Sequence, residues 1–244
     1  MNDTKATPPV LPTAPPSEMT KLPLGTNPDE QAAIPGLVAA IEALLRQPRR
    51  VLFQLRRPES GTLIGAMLFA TLLCSLIYGL IVGTFSGREQ LWAAPAKIAL
   101  GLFISALICL PSLYIFSCLT GAEARLADVC GLVAGMLTLM TVLLIGFAPV
   151  AWVFSQSTDS VAAMGAFHLV FWLISTYFGV RFLCHGFVHL GARSGGGLKV
   201  WIIIFLLVTL QMTTALRPIV DKADTFLPTE KKFFVSHWAE CLRK

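Results

Sequence analysis

Four side chains that could hold a metal or move a proton stand together late in the chain. In "VRFLCHGFVHLGARSGGG", residues 180 to 197, they are Arg181, Cys184, His185 and His189. On a helix Arg181, His185 and His189 are spaced i, i+4, i+8 and form one stripe. A His-x-x-x-His pair can chelate zinc, and a thiolate can add a third ligand. Here the pattern is thin. Cys184 is adjacent to His185 and so points about 100° away from it. No Glu follows the first His, as metalloprotease chemistry requires, and no nearby acid is placed to orient either imidazole. His185 and His189 are therefore weak metal candidates. The stronger reading is a polar stripe at a membrane interface, where imidazole and guanidinium meet phosphates or carbonyls. No cofactor is expected and no catalytic residue is assigned. The glycine run "SGGGLKV", residues 194 to 200, lacks the Gly-Lys-Ser/Thr ending of a phosphate loop and reads as a turn.

That stripe gets its setting from the long apolar stretches around it. The 244 residues are 55% hydrophobic and only 14% charged, with a mean hydropathy of +0.70. Soluble domains carry about a quarter charged residues. Long charge-free intervals alternate with short polar ones, which is the pattern of a bilayer-spanning bundle. The spans are expected at about 62–84, 98–120, 130–154, 161–181 and 200–216. The fifth has only 17 residues between Lys199 and Arg217, against the roughly 20 a crossing helix needs. The expected fold is an all-α polytopic transmembrane bundle (residues 59–217) of about five spans, with short loops and amphipathic interfacial helices at both ends.

The flanks carry the charge. Residues 1–33 are rich in proline and poor in residues that build a core, so disorder is expected there. Residues 34–58 hold Arg46, Arg49, Arg50, Arg56 and Arg57 around Val51, Leu52, Phe53 and Leu55. This reads as a basic amphipathic segment in the headgroup layer, with packing on a protein as the alternative. The tail, 218–244, repeats the pattern: Phe234, Trp238 and Leu242 share a helical face beside Lys231 and Lys232. Arg181 is assigned to the interface as well. The net charge of +5 therefore points to anionic lipid, with no role for nucleic acid. Lys and Arg crowd the segments before span one and after span four, which places the N-terminus in the cytoplasm. Six cysteines, with no paired spacing in a polar loop, predict no disulfide framework.

Inside the spans polarity is sparse. His168 is the one ionisable group well within a span, while Lys97 lies at a span edge from which it can snorkel. Gln211, Thr213 and Thr214 read as interhelical hydrogen-bond partners. Pro111 and Pro149 should kink spans two and three. Small-residue pairs at Gly61 and Gly65, Gly79 and Gly83, and Gly131 and Gly135 allow close backbone approach.

The segment "LPSLYIFSCLTGAEARLADVCGLVAG" leads a Pro-containing second span through a Gly-and-acid turn into the third. With a basic lead-in and five closely spaced spans, residues 45 to 217 resemble the Yip-domain membrane proteins, and their bacterial relatives in particular. The Asp-Leu-Tyr-Gly-Pro motif of eukaryotic members is absent, and Tyr78-Gly79 lies inside a span, so a small-GTPase partner is not implied. The resemblance implies a non-enzymatic scaffold. The residues lead to the same expectation: a multipass scaffold or assembly subunit of a bacterial inner membrane. It would act through helix packing and a basic cytoplasmic face, with a membrane-protein partner or a second copy. The alternative is a small transporter or channel using His168, Gln211 and the inner end of span four.

Overall fold

The structure, a computed structural model, describes residues 23–86, 90–157, 160–192 and 196–215. The expectations for residues 1–22 and for the tail, with Arg217, Lys231 and Lys232, lie outside the described residues, as do the side chains of Thr213 and Thr214. Three short helices come first: α1 (Pro28–Gln31), α2 (Gly36–Arg46) and α3 (Pro48–Leu55). Five long ones follow: α4 (Ser60–Ser86), α5 (Gln90–Leu119), α6 (Leu126–Ser157), α7 (Val161–His189) and α8 (Gly196–Ala215). Among the described residues there is no strand. In hydrocarbon every backbone N–H and C=O must be satisfied within the protein, and a helix does this within one segment.

Four of these helices are long and apolar enough to cross a membrane: Ser60–Thr84, Leu91–Leu119, Leu126–Ser157 and Ala163–His189. The shorter α8 is apolar from Gly196 to Met212. Its 20 residues reach about 30 Å, the thickness of the hydrocarbon, so five spans fit the architecture.

Local chemistry sets the helix ends. Gly121 and Gly191 take positive φ after α5 and α7, where a Cβ would be strained. At each, the two residues past the cap donate back to Cys118 and Ser117, or to Val188 and Phe187, closing the last turn. Ser160 opens α7 by accepting from the Ala163 N–H at 3.3 Å. Asp128 reaches back to the Arg125 N–H at 2.9 Å and starts α6.

α6 is the axle. It is buried along most of its length and packs against α4 on one side and α7 on the other. α5 lies against α4, and α8 lies against α5. Glycines set these distances. A Cβ on Gly135 would lie 2.5 Å from the Phe182 ring, and one on Gly179 would meet Met136 and Met140. One on Gly186 would meet Leu132. α6 and α7 thus exchange knobs and holes in both directions. Gly131 receives Leu55 of α3, and Gly79 faces the backbone of Pro95 in α5. Gly61 and Gly65 differ from the other pairs: nothing lies within 4 Å of where their Cβ atoms would stand.

Flexible side chains can give way; a neighbouring backbone cannot. Gly79→Ala is expected to cost about 1–3 kcal/mol, because the methyl would meet Pro95 main-chain atoms. Gly65→Ala should change stability by less than about 0.5 kcal/mol. Unfolding of the two variants in mixed detergent micelles checks the contrast.

Candidate functional site

The described polar side chains gather at two levels of the bundle. The first is a cap formed by residues 23–57 over the end where α4 and α6 begin and α7 finishes. Glu30 of α1 is buried, and its two oxygens divide their work. Arg49 Nε donates to Oε1 at 2.7 Å, and the Gly25 N–H donates to Oε2 at 2.6 Å. Arg49 Nη2 also donates to the Pro23 carbonyl. Arg50 donates to the carbonyls of Ala32 and Ala33 at 3.0 and 2.7 Å, and Gln54 Nε2 reaches those of Gln31 and Ala32. An acid–guanidinium pair with its remaining acceptors filled is the form in which a buried charge is tolerated.

These bonds change the reading of the arginines. Arg49 and Arg50, expected at lipid headgroups, have donors committed to residues 23–33, which fold back beside α3. The apolar side of α3 also has another address than the headgroup layer. Val51, Leu52 and Leu55 are buried in the main core with Leu132, Val129 and Met67. The cause is the hole at Gly131, which Leu55 fills. Arg46 remains exposed and pairs with Glu42 one turn back at 3.1 Å. Arg57 lies over the Phe53 ring at 5.2 Å. Arg56 lines a crevice of about 10 Å³ with Asp128, His189 and Leu190, room for about one water.

Across that crevice the α5–α6 turn ties the cap to α7. Arg125 pairs with Asp128 and donates from Nη2 to the Arg56 carbonyl at 3.0 Å. The Glu123 N–H donates to the Leu190 carbonyl at 3.0 Å. His189 is therefore brought against the cap. His185, one turn earlier, and Arg181, another turn earlier, are exposed, and Cys184 faces elsewhere, half-buried. No group of three or more His, Cys, Asp or Glu side chains suited to a metal occurs among the described residues.

The second level lies two turns in from the other end. Tyr78 of α4 and His168 of α7 meet edge to face, with the Tyr78 hydroxyl 2.7 Å from His168 Nδ1. His168 Nε2 is buried without a partner among the described residues, and so is Ser175 Oγ two turns along α7. Lys97, expected to snorkel from a span edge, is fully buried. It stands two turns inside α5, next to the point where Pro95 closes on Gly79. Between the two levels, the Thr138 hydroxyl lies 2.9 Å from the Met67 carbonyl and 3.1 Å from the Thr71 hydroxyl, joining α6 to α4. Trp201 of α8 donates to the Cys109 carbonyl of α5 at 2.8 Å.

Glu30, Thr71 and Thr138 are not singled out by sequence, and Tyr78 and Trp201 are not identified there as hydrogen-bonding groups. Tyr78 had one usable signal, as a phenol inside an otherwise apolar run. Asp128 had another, three residues after Arg125 at a helix start. Glu30 had none, because its partner is 19 residues away across two helices.

Comparison with protein-family models, with curated proteins and with solved structures finds no match in any of the three.

Glu30→Gln removes the charge that Arg49 faces while keeping the shape. It should loosen the cap by about 1–3 kcal/mol, less than a fully buried pair, because Arg49 is partly exposed. Faster amide exchange in residues 23–57, with α6 unchanged, is the expected signature. Unaltered exchange in the cap would show that the pair does not hold it.

Proposed function

We propose that the protein is a non-enzymatic multipass membrane scaffold, or a subunit of a membrane assembly. It seats a partner helix, or a second copy of itself, on the outward face of α4. The supporting observation is the open furrow at Gly61 and Gly65. Gly79, Gly131 and Gly135 are occupied by contacts within the chain, whereas these two are exposed with no neighbour within 4 Å. Small residues let a partner backbone approach closely, here where α4 enters the membrane at the cap end. The furrow runs into Leu68, Phe69, Leu72 and Leu73, which are all exposed.

The cap end faces the cytoplasm in this reading, because the arginines of residues 46–57, with Arg125, cluster there. A bacterial inner membrane is the proposed location. The resemblance to Yip-domain proteins supports the same non-enzymatic role, with anionic headgroups and a membrane protein as partners.

The alternative, a small transporter or channel, has its own observation. Buried His168 Nε2 and Ser175 Oγ lie on one face of α7 without partners among the described residues, as groups lining a polar path would. Gln211 belongs to this reading as well.

A photo-crosslinking side chain at position 69, one turn beyond Gly65 and exposed, is expected to capture a membrane protein or a second copy. Replacing Gly61 and Gly65 by leucine should reduce capture about tenfold, the loss of one close helix contact. Capture unaffected by leucine would refute the furrow. Solute flux in proteoliposomes that disappears in His168→Ala would favour the transporter. With five crossings between the two ends, a reporter fused after Lys244 should lie on the periplasmic side.

A further inference from the structure

The outward stripe of α7 changes character abruptly. Leu173, Tyr177, Arg181 and His185 follow one another at i+4, and all four are exposed. The first two belong to an apolar band that continues with Val170 and Ile174; the last two are polar. Packing places this change at a definite depth. Gly179 lies against Met136 and Met140, and Phe182 against Gly135, so Arg181 is level with Met136 of α6. From there to Trp152, exposed near the far end of α6, is about 24 Å at about 1.5 Å per residue. Trp92 is exposed at the start of α5, at the same far end. Exposed tryptophans at one border and an arginine at the other bracket an apolar belt close to the hydrocarbon thickness. Arg181 then stands where acyl chains give way to phosphates. His185 lies about 6 Å deeper in the headgroup layer.

We propose that Arg181 and His185 form a seat for the phosphodiester of an anionic phospholipid, with its acyl chains along Leu173 and Tyr177. This rests on the reading that α7 spans the membrane. The guanidinium offers two parallel donors to phosphate oxygens, and the imidazole N–H offers a third one turn away. Exposed acids share this end of the bundle (Asp29, Glu42, Glu59 and Glu123), and Glu42 is held by Arg46. The buried acids at this end are engaged, Glu30 by Arg49 and Asp128 by Arg125, and no acid pairs with Arg181 among the described residues. Arg56 and His189, at the crevice below, add positive and polar character on the same side. A zwitterionic headgroup would bring its own ammonium into this setting; a glycerol headgroup would not. The ligand chemistry is a phosphodiester monoanion, and the acyl stripe commits the site to a lipid.

The full chain, reconstituted in phosphatidylcholine vesicles containing a minority of phosphatidylglycerol and released into native mass spectrometry, is expected to retain phosphatidylglycerol selectively. Arg181→Gln with His185→Gln should lower that retention at least about tenfold, while Lys199→Gln, which removes an exposed charge at the start of α8, leaves it unchanged. Arg181→Lys should keep part of it, because a point charge remains without the fork. Should the double variant fail to fold, His185→Gln alone, at an exposed position, is expected to give a smaller loss of about threefold. Equal retention in wild type and variants, or the same loss with Lys199→Gln, would overturn the seat in favour of general charge attraction. Displacement of the lipid by millimolar inorganic phosphate would overturn the lipid assignment in favour of a free-anion site. Lost capture at position 69 with intact lipid retention removes the scaffold reading alone. Lost retention with intact capture removes this site alone.

Discussion

Helix contact in hydrocarbon has to come from proximity, since a leucine gains little by leaving lipid for another leucine. The whole bundle follows from that constraint. Between α6 and α7, and between α4 and α5, one helix presents a glycine and the other fills the space: Phe182 on Gly135, Met136 and Met140 on Gly179, Leu132 on Gly186, and Pro95 on Gly79. Because α6 both gives and receives such contacts with α7, their register is fixed from both sides. Sliding one helix by a single residue would drive several side chains into backbone at once. The interhelical hydrogen bond of Thr138 with α4 adds direction to contacts that dispersion alone leaves non-directional.

The same geometry carries the cap. Leu55 uses the hole at Gly131 as Phe182 uses the one at Gly135, so α3 joins the bundle by the rule that joins α6 to α7. Once α3 is docked, Arg49 sits too close to apolar surface to remain without an anion, and residues 23–33 return to supply Glu30 and a row of carbonyls. What composition alone marks as a floating basic helix is a folded lid. Its charge is divided into arginines that hold the lid and arginines left on its surface.

The fold was legible because period and length are strong signals in lipid. Charge-free runs marked all five long helices, although α5 and α6 begin several residues before the stretches expected from hydropathy. Polar helix starts such as "QLWAAPAK" and "LADV" are helical by packing and capping, which hydropathy does not register. Contact chemistry was much less legible. A glycine pair reads the same in sequence whether it holds a neighbour, as Gly131 and Gly135 do, or stands open, as Gly61 and Gly65 do. Gly179 and Gly186 stand seven apart on α7, a spacing that the four-residue rule passes over. Glu30 and Arg49 show the other limit, since an ion pair between elements has no spacing to betray it.

The two polar levels differ in how they treat charge, and this separates their roles. At the cap end each buried acid has a cation within 3.3 Å, so the buried charge of that level is closed within the protein. At the Tyr78–His168 level Tyr78 and the imidazole Nε2 are buried, and Nε2 has no hydrogen-bond partner among the described residues. A tyrosine hydroxyl against Nδ1 sets the imidazole's orientation without neutralising anything, and it leaves one nitrogen pointed into packed protein. Such a group destabilises a bundle unless something is gained by it, because a buried polar atom without a partner costs about 1–3 kcal/mol. A surface that binds lipid or a partner from outside needs no such sacrifice. The cap end therefore suits a standing interface with the membrane, and Tyr78–His168 is where any activity inside the bundle would have to begin.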